Sequence, residues 1–310
     1  MSRIVITDCD QGEVDIERGV FEAAGHTVSW EHCRTSEDVI RTAGGAEALL
    51  VQYVPITAAV MDALPTVRVL GRYGVSVDNF DLPAAAERGI RVVNVPDYCI
   101  DEVADHTLAL ILALTRGITR LDRAVHAGTW DFRVAQDLRR SSDLRLGLMG
   151  FGRIGAAVAH RALAIGFQVV ASDPVASGTP QVPLVEVEEL LATSDIVSLH
   201  ARLDPSTRHM IDASAMARMR PGALLVNTSR GGLVDQAALV EALRSGHLGG
   251  AALDVLEREP IAPEDPLLSL PNVVLTPHAA FYSTASLVEM KRRVAEGMVA
   301  ALAEAPPAGA

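Results

Sequence analysis

The 310-residue chain has few cysteines and few aromatic residues. Its three cysteines, Cys9, Cys33 and Cys99, lie far apart, and the sequence has no Cys-x-x-Cys or Cys/His ligand spacing. Neither a disulfide framework nor a metal site is therefore expected, and a reducing cytoplasm is the natural compartment. Aromatic residues make up 4% of the sequence, so the cores must be built mainly from Ala, Val, Leu and Ile.

Positive charge and long hydrophobic runs are also scarce. The chain has 27 Lys and Arg against 39 Asp and Glu, a formal net charge of −12. Because nucleic acids and anionic membranes bind basic faces, neither is an expected partner, although a local basic cluster could still bind one small anion. The most apolar later run, Leu108–Leu114, is too short to span a membrane, and the N-terminus lacks the apolar length of a signal peptide.

Short apolar runs alternate with helix-like segments through most of the chain, which is typical of parallel sheets covered by helices. The strand candidates of the first series are Arg3–Asp8, Ala48–Tyr53, Val67–Tyr73 and Ile90–Val95. Those of the second are Leu144–Met149, Gln168–Ser172, Ile196–Leu199, Leu224–Asn227, Ala251–Val255 and Val273–Thr276. Six strands with intervening helices would build a complete dinucleotide-binding unit.

Two long helical patterns bear on the domain organisation. The first runs from Asp101 to about Ala127 and is broken or bent near Gly117. It is apolar enough to be buried between domains or in a subunit interface. The second pattern, Ala285–Ala303, lies beyond the six strands of the second series. Because that series is complete without it, we expect this helix to pack on the first domain. We therefore predict two doubly wound parallel-sheet α/β domains. Residues 1–99 and 284–310 form the first, and residues 100–283 form an inserted second domain.

A glycine-rich turn follows the strand candidate Leu144–Met149. Gly150, Gly152 and Gly155 match G-x-G-x-x-G, with Arg153 and Ile154 between the last two glycines. The first glycine permits a tight turn, the second lets the backbone approach a pyrophosphate, and the third lets helix and strand pack closely. The helix N-terminus adds free N–H groups and a partial positive charge. We expect an NAD-binding loop.

Asp173 directly follows the next strand candidate, 18 residues after the last glycine of this loop. A carboxylate at that place accepts hydrogen bonds from the adenosine ribose and repels a 2′-phosphate. No arginine follows it directly. The sequence therefore favours NAD over NADP.

Three polar segments follow strand candidates of the second series and contain Arg230, Glu259 and His278. Ligands of an open α/β sheet bind outside the carboxyl ends of its strands. An arginine can bind a carboxylate through two hydrogen bonds, and a histidine can exchange a proton near neutral pH. A glutamate beside that histidine would raise its pKa. This set suggests hydride transfer coupled to proton transfer.

Along nearly its whole length the sequence resembles the D-2-hydroxyacid dehydrogenase family. The matching segments are residues 71–79 (GRYGVSVDN), 103–107 (VADHT), the glycine loop, 225–235 (LVNTSRGGLVD), 252–255 (ALDV) with Glu259-Pro260, and 276–278 (TPH). The resemblance implies a Rossmann NAD domain inserted into a flavodoxin-like substrate domain. It also implies a homodimer formed largely through the NAD domain.

The resemblance further implies roles for individual residues. Arg230, Glu259 and His278 would be catalytic, with Glu259 preferred to Glu257 because it directly precedes the proline of its motif. Other residues expected near the cofactor are Thr107, His200, Thr207, Thr228 and Asp254. The loop of Tyr73, Gly74, Val75 and Ser76 would bind the substrate carboxylate through backbone N–H groups, while Tyr53 and Arg72 are candidates for contacts with its distal end.

Several positions depart from the family pattern. Ser76 stands where glycine is common, Cys99 where many members have asparagine, and Arg202 where proline is common. The segment after His278 resembles that of the C-terminal binding proteins, which are NAD-dependent corepressors with tryptophan in place of Phe281. Cys99 and Phe281 are therefore additional candidates for the substrate pocket.

We predict an NAD-dependent oxidoreductase that reduces a small 2-oxo acid to the D-2-hydroxy acid, or catalyses the reverse reaction. The alternative is an NAD(H)-sensing, corepressor-like binding protein of the same fold. The identity of the acid stays open, because a few loop residues of the first domain would determine it.

Overall fold

The computed structural model describes residues 1–305 and divides the chain into two compact units. Unit 1 consists of Met1–Tyr98 together with the segment that begins at Ser283, and unit 2 consists of Cys99–Tyr282. Unit 2 is thus inserted into unit 1 along the chain. Among residues 1–305, no helix combines the length and the apolar character needed to cross a membrane.

Unit 1 contains a five-stranded parallel sheet in the order β2-β1-β3-β4-β5, the flavodoxin-like order. Its strands are β1 (Arg3–Ile6), β2 (Thr27–Trp30), β3 (Ala48–Val51), β4 (Val69–Arg72) and β5 (Arg91–Val93). The helices between them are α1 (Asp15–Ala23), α2 (Ser36–Thr42), α3 (Ala58–Ala63) and α4 (Leu82–Glu87).

Both faces of this sheet are buried, which explains its nearly continuous apolar strands. Neighbouring strand residues point to opposite faces: Val5 belongs to one core cluster, while Ile4 and Ile6 belong to the other. The edge strand β2 was not among the predicted strands. Its sequence, Thr-Val-Ser-Trp, is short and half polar, as suits an edge strand that is only partly buried.

Unit 2 contains a six-stranded parallel sheet in the order β11-β10-β9-β8-β6-β7. Its strands are β6 (Arg145–Met149), β7 (Gln168–Ser172), β8 (Ile196–Leu199), β9 (Ala223–Asn227), β10 (Leu248–Leu253) and β11 (Val273–Leu275). Its helices are α5 (Ile100–Thr115), α6 (Ile118–His126), α7 (Arg153–Ile165), α8 (Val187–Thr193), α9 (Ala213–Arg218) and α10 (Gln236–Arg244). Short 3-10 turns lie at Phe132–Ala135, Ser141–Asp143, Gly231–Leu233 and Pro266–Ser269.

The strand order reverses between β6 and β8, because the chain moves outward from β6 in opposite directions to reach β7 and β8. A single parallel bridge between Ala171 and Leu184 adds a minimal further strand beside β7. With that bridge the order is the one expected of a dinucleotide-binding sheet, and the crevice at the reversal is where such sheets bind their ligand.

The predicted interruption of the long helical pattern near Gly117 is confirmed, and it is a break between two helices. α5 ends at Thr115, α6 begins at Ile118, and Gly117 between them has a φ of 60°, a left-handed conformation that favours glycine.

The last helix, α11 (Thr284–Glu304), packs on the sheet of unit 1, as the sequence predicts. Met290, Val294 and Met298 on its inner face are fully buried. A side chain at Gly71 of β4 would collide with Met298, so a glycine lets this helix approach the sheet. The predicted fold class, two parallel-sheet α/β domains with one inserted into the other, is confirmed.

Candidate active site and cofactor site

The glycine loop lies between β6 and α7, at the point where the strand order reverses. Gly150 has a φ of 103°, and a Cβ there would lie 2.5 Å from the carbonyl oxygen of His200. A Cβ on Gly155 would run into the carbonyl of Gly150. At Gly152, by contrast, no other atom of residues 1–305 lies within 4 Å of the Cβ position. Gly150 and Gly155 thus permit close packing. Gly152 leaves an open backbone face that fits a pyrophosphate.

Asp173 follows β7, and backbone N–H groups fix its carboxylate. One oxygen, Oδ2, accepts from Phe151 N at 2.8 Å, and Oδ1 accepts from Val175 N at 2.9 Å and Ala176 N at 2.8 Å. The bond from Phe151, followed by that from Ala176, lowers the pKa of Asp173. The carboxylate is therefore ionised at neutral pH and tied directly to the glycine loop.

His200 follows β8, on the other side of the strand-order reversal. Its Nε2 lies 3.0 Å from the hydroxyl of Ser198, while its buried Nδ1 has no hydrogen-bond partner within the described chain. Burial lowers the pKa of His200 to about 4. The imidazole is therefore neutral at physiological pH and adds no charge at the strand-order reversal.

Three predicted cofactor residues use their hydroxyl groups locally. The hydroxyl of Thr107 is 2.7 Å from Val103 O and 2.7 Å from the hydroxyl of Thr228, which ties α5 to the turn after β9. The hydroxyl of Thr207 donates to Arg202 O at 2.7 Å, within an exposed loop. Their roles toward a cofactor stay predictions.

Arg230, Glu259 and His278 are brought to one edge of the six-stranded sheet. They follow β9, β10 and β11, which are consecutive neighbours in that sheet. His278 Nδ1 lies 2.7 Å from Glu259 Oε2, and Glu259 Oε1 accepts from Leu256 N at 2.8 Å. Because Nδ1 faces the glutamate, Nε2 is the ring nitrogen left to exchange a proton with a substrate.

The charge of Glu259 is set by opposing effects. Partial burial raises the pKa of Glu259. The hydrogen bonds from His278 and Leu256 and the positive charge of Arg230 lower this pKa by a larger amount, so the net shift is downward. An ionised Glu259 stabilises the protonated imidazole of His278. The guanidinium of Arg230 is itself oriented by a 2.7 Å bond to Ser229 O.

Asp254 anchors the turn that carries His278. The backbone of His278 is left-handed, with a φ of 53°, which is uncommon outside glycine. The buried carboxylate of Asp254 accepts from Ala279 N and Ala280 N, each at 2.9 Å, and from the hydroxyl of Thr276 at 2.6 Å. These bonds hold the unusual conformation, so the side chain of Asp254 is occupied by the turn that carries His278.

Asn227 was not among the predicted site residues. Its side chain holds the turn that carries Arg230, as Asp254 holds the turn of His278. Its side-chain amide donates to Arg230 O at 2.9 Å, and its Oδ1 accepts from Ser229 N at 3.0 Å. The signal in the sequence was a polar residue directly at the end of a buried strand.

Within unit 1, the segment Tyr73–Ser76 follows β4. The phenol ring of Tyr73 is turned inward and is only 1% exposed, so this residue can offer a ligand nothing but its backbone. Gly74 has a φ of 122°, and its carbonyl accepts from Val95 N at 3.0 Å. Within residues 1–305, the backbone N–H groups of Gly74, Val75 and Ser76 donate to no protein acceptor. They are available to bind an anion.

The remaining substrate candidates have diverse surroundings. Tyr53 is 58% exposed, and partial burial, followed by the charge of Asp10, raises its pKa to about 12. Arg72 is folded back, with its guanidinium donating to Tyr73 O. In unit 2, Cys99 is buried at the start of α5, and the ring of Phe281 meets that of His278 edge-on with a centroid distance of 6.3 Å.

Known proteins with the same architecture identify the family. The family model described as "D-isomer specific 2-hydroxyacid dehydrogenase, NAD binding domain" matches residues 108–280, more than half of the chain. The chain belongs to the D-2-hydroxyacid dehydrogenase family. It is therefore an NAD-dependent oxidoreductase of the D-2-hydroxyacid dehydrogenase type.

Three relatives illustrate the range of the family. A glyoxylate reductase from Korarchaeum cryptofilum is 43% identical over 256 residues, covering 79% of this chain and 76% of that protein. A glycerate dehydrogenase from Methylorubrum extorquens is 34% identical over 310 residues, covering 96% of each. The structure of D-lactate dehydrogenase from Aquifex aeolicus, complexed with NAD and lactic acid, has a TM-score of 0.85 at 29% identity, covering 97% of this chain and 94% of that one.

Replacing Glu259 with Gln should lower the turnover of this dehydrogenase. The neutral amide can still contact His278 but cannot stabilise a charged imidazolium, so kcat should fall by about tenfold or more, as expected when a charge-assisted hydrogen bond is lost. Steady-state oxidation of NADH measures kcat, and a wild-type kcat would contradict the assigned pairing.

Replacing Asp173 with Ala should weaken the preference for NADH over NADPH. If Asp173 binds the ribose as predicted, the variant lacks that charged hydrogen-bond acceptor and its repulsion of a 2′-phosphate, so the preference should fall by about tenfold or more. Dissociation constants from the quenching of protein fluorescence give the ratio directly. Equal preferences in variant and wild type would place the selectivity elsewhere.

Proposed function

We propose that the chain reduces a small 2-oxo acid to the D-2-hydroxy acid and catalyses the reverse oxidation. The observation that carries the proposal is the 2.7 Å contact between His278 Nδ1 and Glu259 Oε2 at the sheet edge that also holds Arg230. The relatives named glyoxylate reductase, glycerate dehydrogenase and D-lactate dehydrogenase support two- and three-carbon acids as the first candidates.

We assign each polar group one role in this reaction. Bound NADH supplies the hydride to C2. His278 donates the proton on Nε2 to the developing alkoxide, and Glu259 stabilises the imidazolium that donates it. Arg230 binds the substrate carboxylate and polarises the carbonyl oxygen. In the oxidative direction, neutral His278 accepts the hydroxyl proton.

We also assign the loop 73–76 of unit 1 to the substrate carboxylate. Its support is the set of backbone N–H groups without a protein acceptor, at Gly74, Val75 and Ser76. Backbone donors bind a carboxylate without adding a formal charge. A protein with a net charge of −12 can therefore use an anionic substrate through local donors.

The competing function is an NAD(H)-sensing binding protein that resembles the corepressors. The segment after His278, with Phe281 in place of tryptophan, favours it. The paired His278 and Glu259 weigh against it, because binding a partner requires neither proton transfer nor a poised acid. Turnover separates the two functions.

A panel of 2-oxo acids tests the proposed function. Glyoxylate, hydroxypyruvate, pyruvate and branched 2-oxo acids are mixed with NADH, and absorbance is followed at 340 nm. At least one should be reduced, and His278→Ala should lower kcat by about 10²- to 10⁴-fold while NADH affinity is retained. His160→Ala, on the exposed side of α7, is the matched control and should keep wild-type turnover. Tight NADH binding without turnover of any acid would favour the binding protein.

The expected homodimer has a candidate surface in unit 2. Large apolar side chains are exposed around α6 and the following turn: Trp130 is 90% exposed, Phe132 80%, Ile118 55% and Val125 46%. Apolar surface of this kind is typical of an interface. Sedimentation should give twice the 32.9 kDa chain mass, and Trp130→Ser with Phe132→Ser should give single chains at micromolar concentration. A wild-type protein that sediments as one chain would refute the dimer.

A further inference from the structure

Lys291 is the only lysine in the sequence, and it is buried. It lies on the inner face of α11, where 4% of the residue is exposed. Its ammonium donates to Glu13 O at 2.7 Å and lies 3.6 Å from Glu17 Oε1. All other cationic side chains of the chain are arginines, so a compact ammonium is found only at this position.

Glu17, on α1, joins this lysine to the substrate loop. Its side chain is completely buried, and its Oε1 accepts a 2.6 Å hydrogen bond from the hydroxyl of Tyr73. The other oxygen, Oε2, has no hydrogen-bond partner within the described residues. Burial, followed by the charge of Glu17, raises the pKa of Tyr73 far above its usual range, so the phenol keeps its proton and acts as the donor.

Filling a core with a buried pair of this kind is energetically unfavourable. Removing two charges from water costs several kcal/mol per ion, and well-packed apolar residues are often as stable or more stable. The core cluster that includes Tyr73 also contains the fully buried apolar residues Phe21, Met290 and Val294. The need to fill the core therefore does not explain why Glu17 and Lys291 are buried together. The hydrogen bond between Glu17 and Tyr73 does explain it.

Three contacts hold the loop through its phenol and carbonyl groups and leave its backbone N–H groups unused. The phenol of Tyr73 is held by Glu17, the carbonyl of Tyr73 accepts from Arg72, and the carbonyl of Val75 accepts from Asn94. Of the three, only the phenol contact reaches into the core, where two helices can fix its position.

We propose that Glu17 and Lys291 are positioning residues for substrate binding. Their pair holds the hydroxyl of Tyr73 and thereby sets the direction of the N–H groups of residues 74–76. This inference rests on the proposed function, because it takes the loop to bind the substrate carboxylate. The pair acts on affinity for the acid and leaves hydride and proton transfer to the groups of unit 2.

Four variants test the proposal through the separation of KM from kcat. Tyr73→Phe removes one oxygen atom and is the variant least expected to unfold. It should raise KM for the 2-oxo acid about three- to tenfold, with kcat within about twofold and NADH affinity unchanged, because a hydrogen bond to a buried charge is lost. Lys291→Met and Glu17→Gln should each raise KM, since each leaves one buried charge unpaired.

The double variant of Glu17→Gln with Lys291→Met supplies the rescue. Both charges are absent, and the amide oxygen at position 17 can still accept from Tyr73. KM should therefore return to within about twofold of wild type, although each single change raises it. The control is Arg292→Met, which removes an exposed cation of the same helix paired with Glu289 and Glu296, and it should leave KM unchanged.

Amide hydrogen exchange gives a readout that does not depend on turnover. In Tyr73→Phe, the peptide spanning residues 71–79 should exchange faster, while peptides from residues 100–280 exchange as in wild type. Wild-type KM and wild-type loop exchange in folded single variants would overturn the proposal and leave the pair a role in stability alone. If loop exchange depends on the pair but no 2-oxo acid is reduced by the wild type, the proposed function fails and the anchoring of the loop stands.

Discussion

In the sheet of unit 2, β10 pairs in parallel with β9 on one side and β11 on the other, and Leu253 lies opposite both Asn227 and Leu275. The three strands therefore end at the same level. Because their ends coincide, the segments that follow them emerge side by side, and Glu259 comes within hydrogen-bonding distance of His278. A shift of one residue in either pairing would reverse the side-chain faces of a strand and separate Glu259 from His278.

Aspartates at strand ends then convert these emerging segments into fixed loops. Asp254 binds the amides after His278, and Asp173 binds an amide of the glycine loop. In unit 1, Asp8 follows β1 and accepts from the amides of Gln52, Tyr53 and Val54. Each carboxylate satisfies backbone donors that would otherwise lack partners, which is how loops next to a buried sheet stay ordered.

Backbone N–H groups also explain how an acidic chain can use anionic ligands. The open face at Gly152 and the free donors of residues 74–76 provide partial positive charge without cationic side chains. The formal charge of −12 therefore describes the outer surface, which disfavours polyanions, and does not describe these two loops.

Several features followed from the sequence because their physical cause is local. The glycine spacing and the apolar run before it predicted the turn at Gly150 and the helix that opens after it, which is α7. Gly117 likewise marked the break between α5 and α6. In these cases the structure depends on residues that are close in the sequence. The local causes are a left-handed backbone, a helical period or a run of branched side chains in a strand.

Other features needed the tertiary structure, because they join residues that are distant in the chain. The edge strand β2 is visible only through its pairing with β1, since its own sequence is half polar. No local pattern showed that the ring of Tyr73 turns inward to Glu17, 56 residues away, or that Lys291 meets the same carboxylate from the last helix. The sequence by itself determined the two-domain α/β architecture and the glycine-rich turn after β6, and it predicted the residues proposed for catalysis. Only the tertiary structure decided which buried partners hold those loops in place, because packing selects such contacts without leaving a local pattern in the chain.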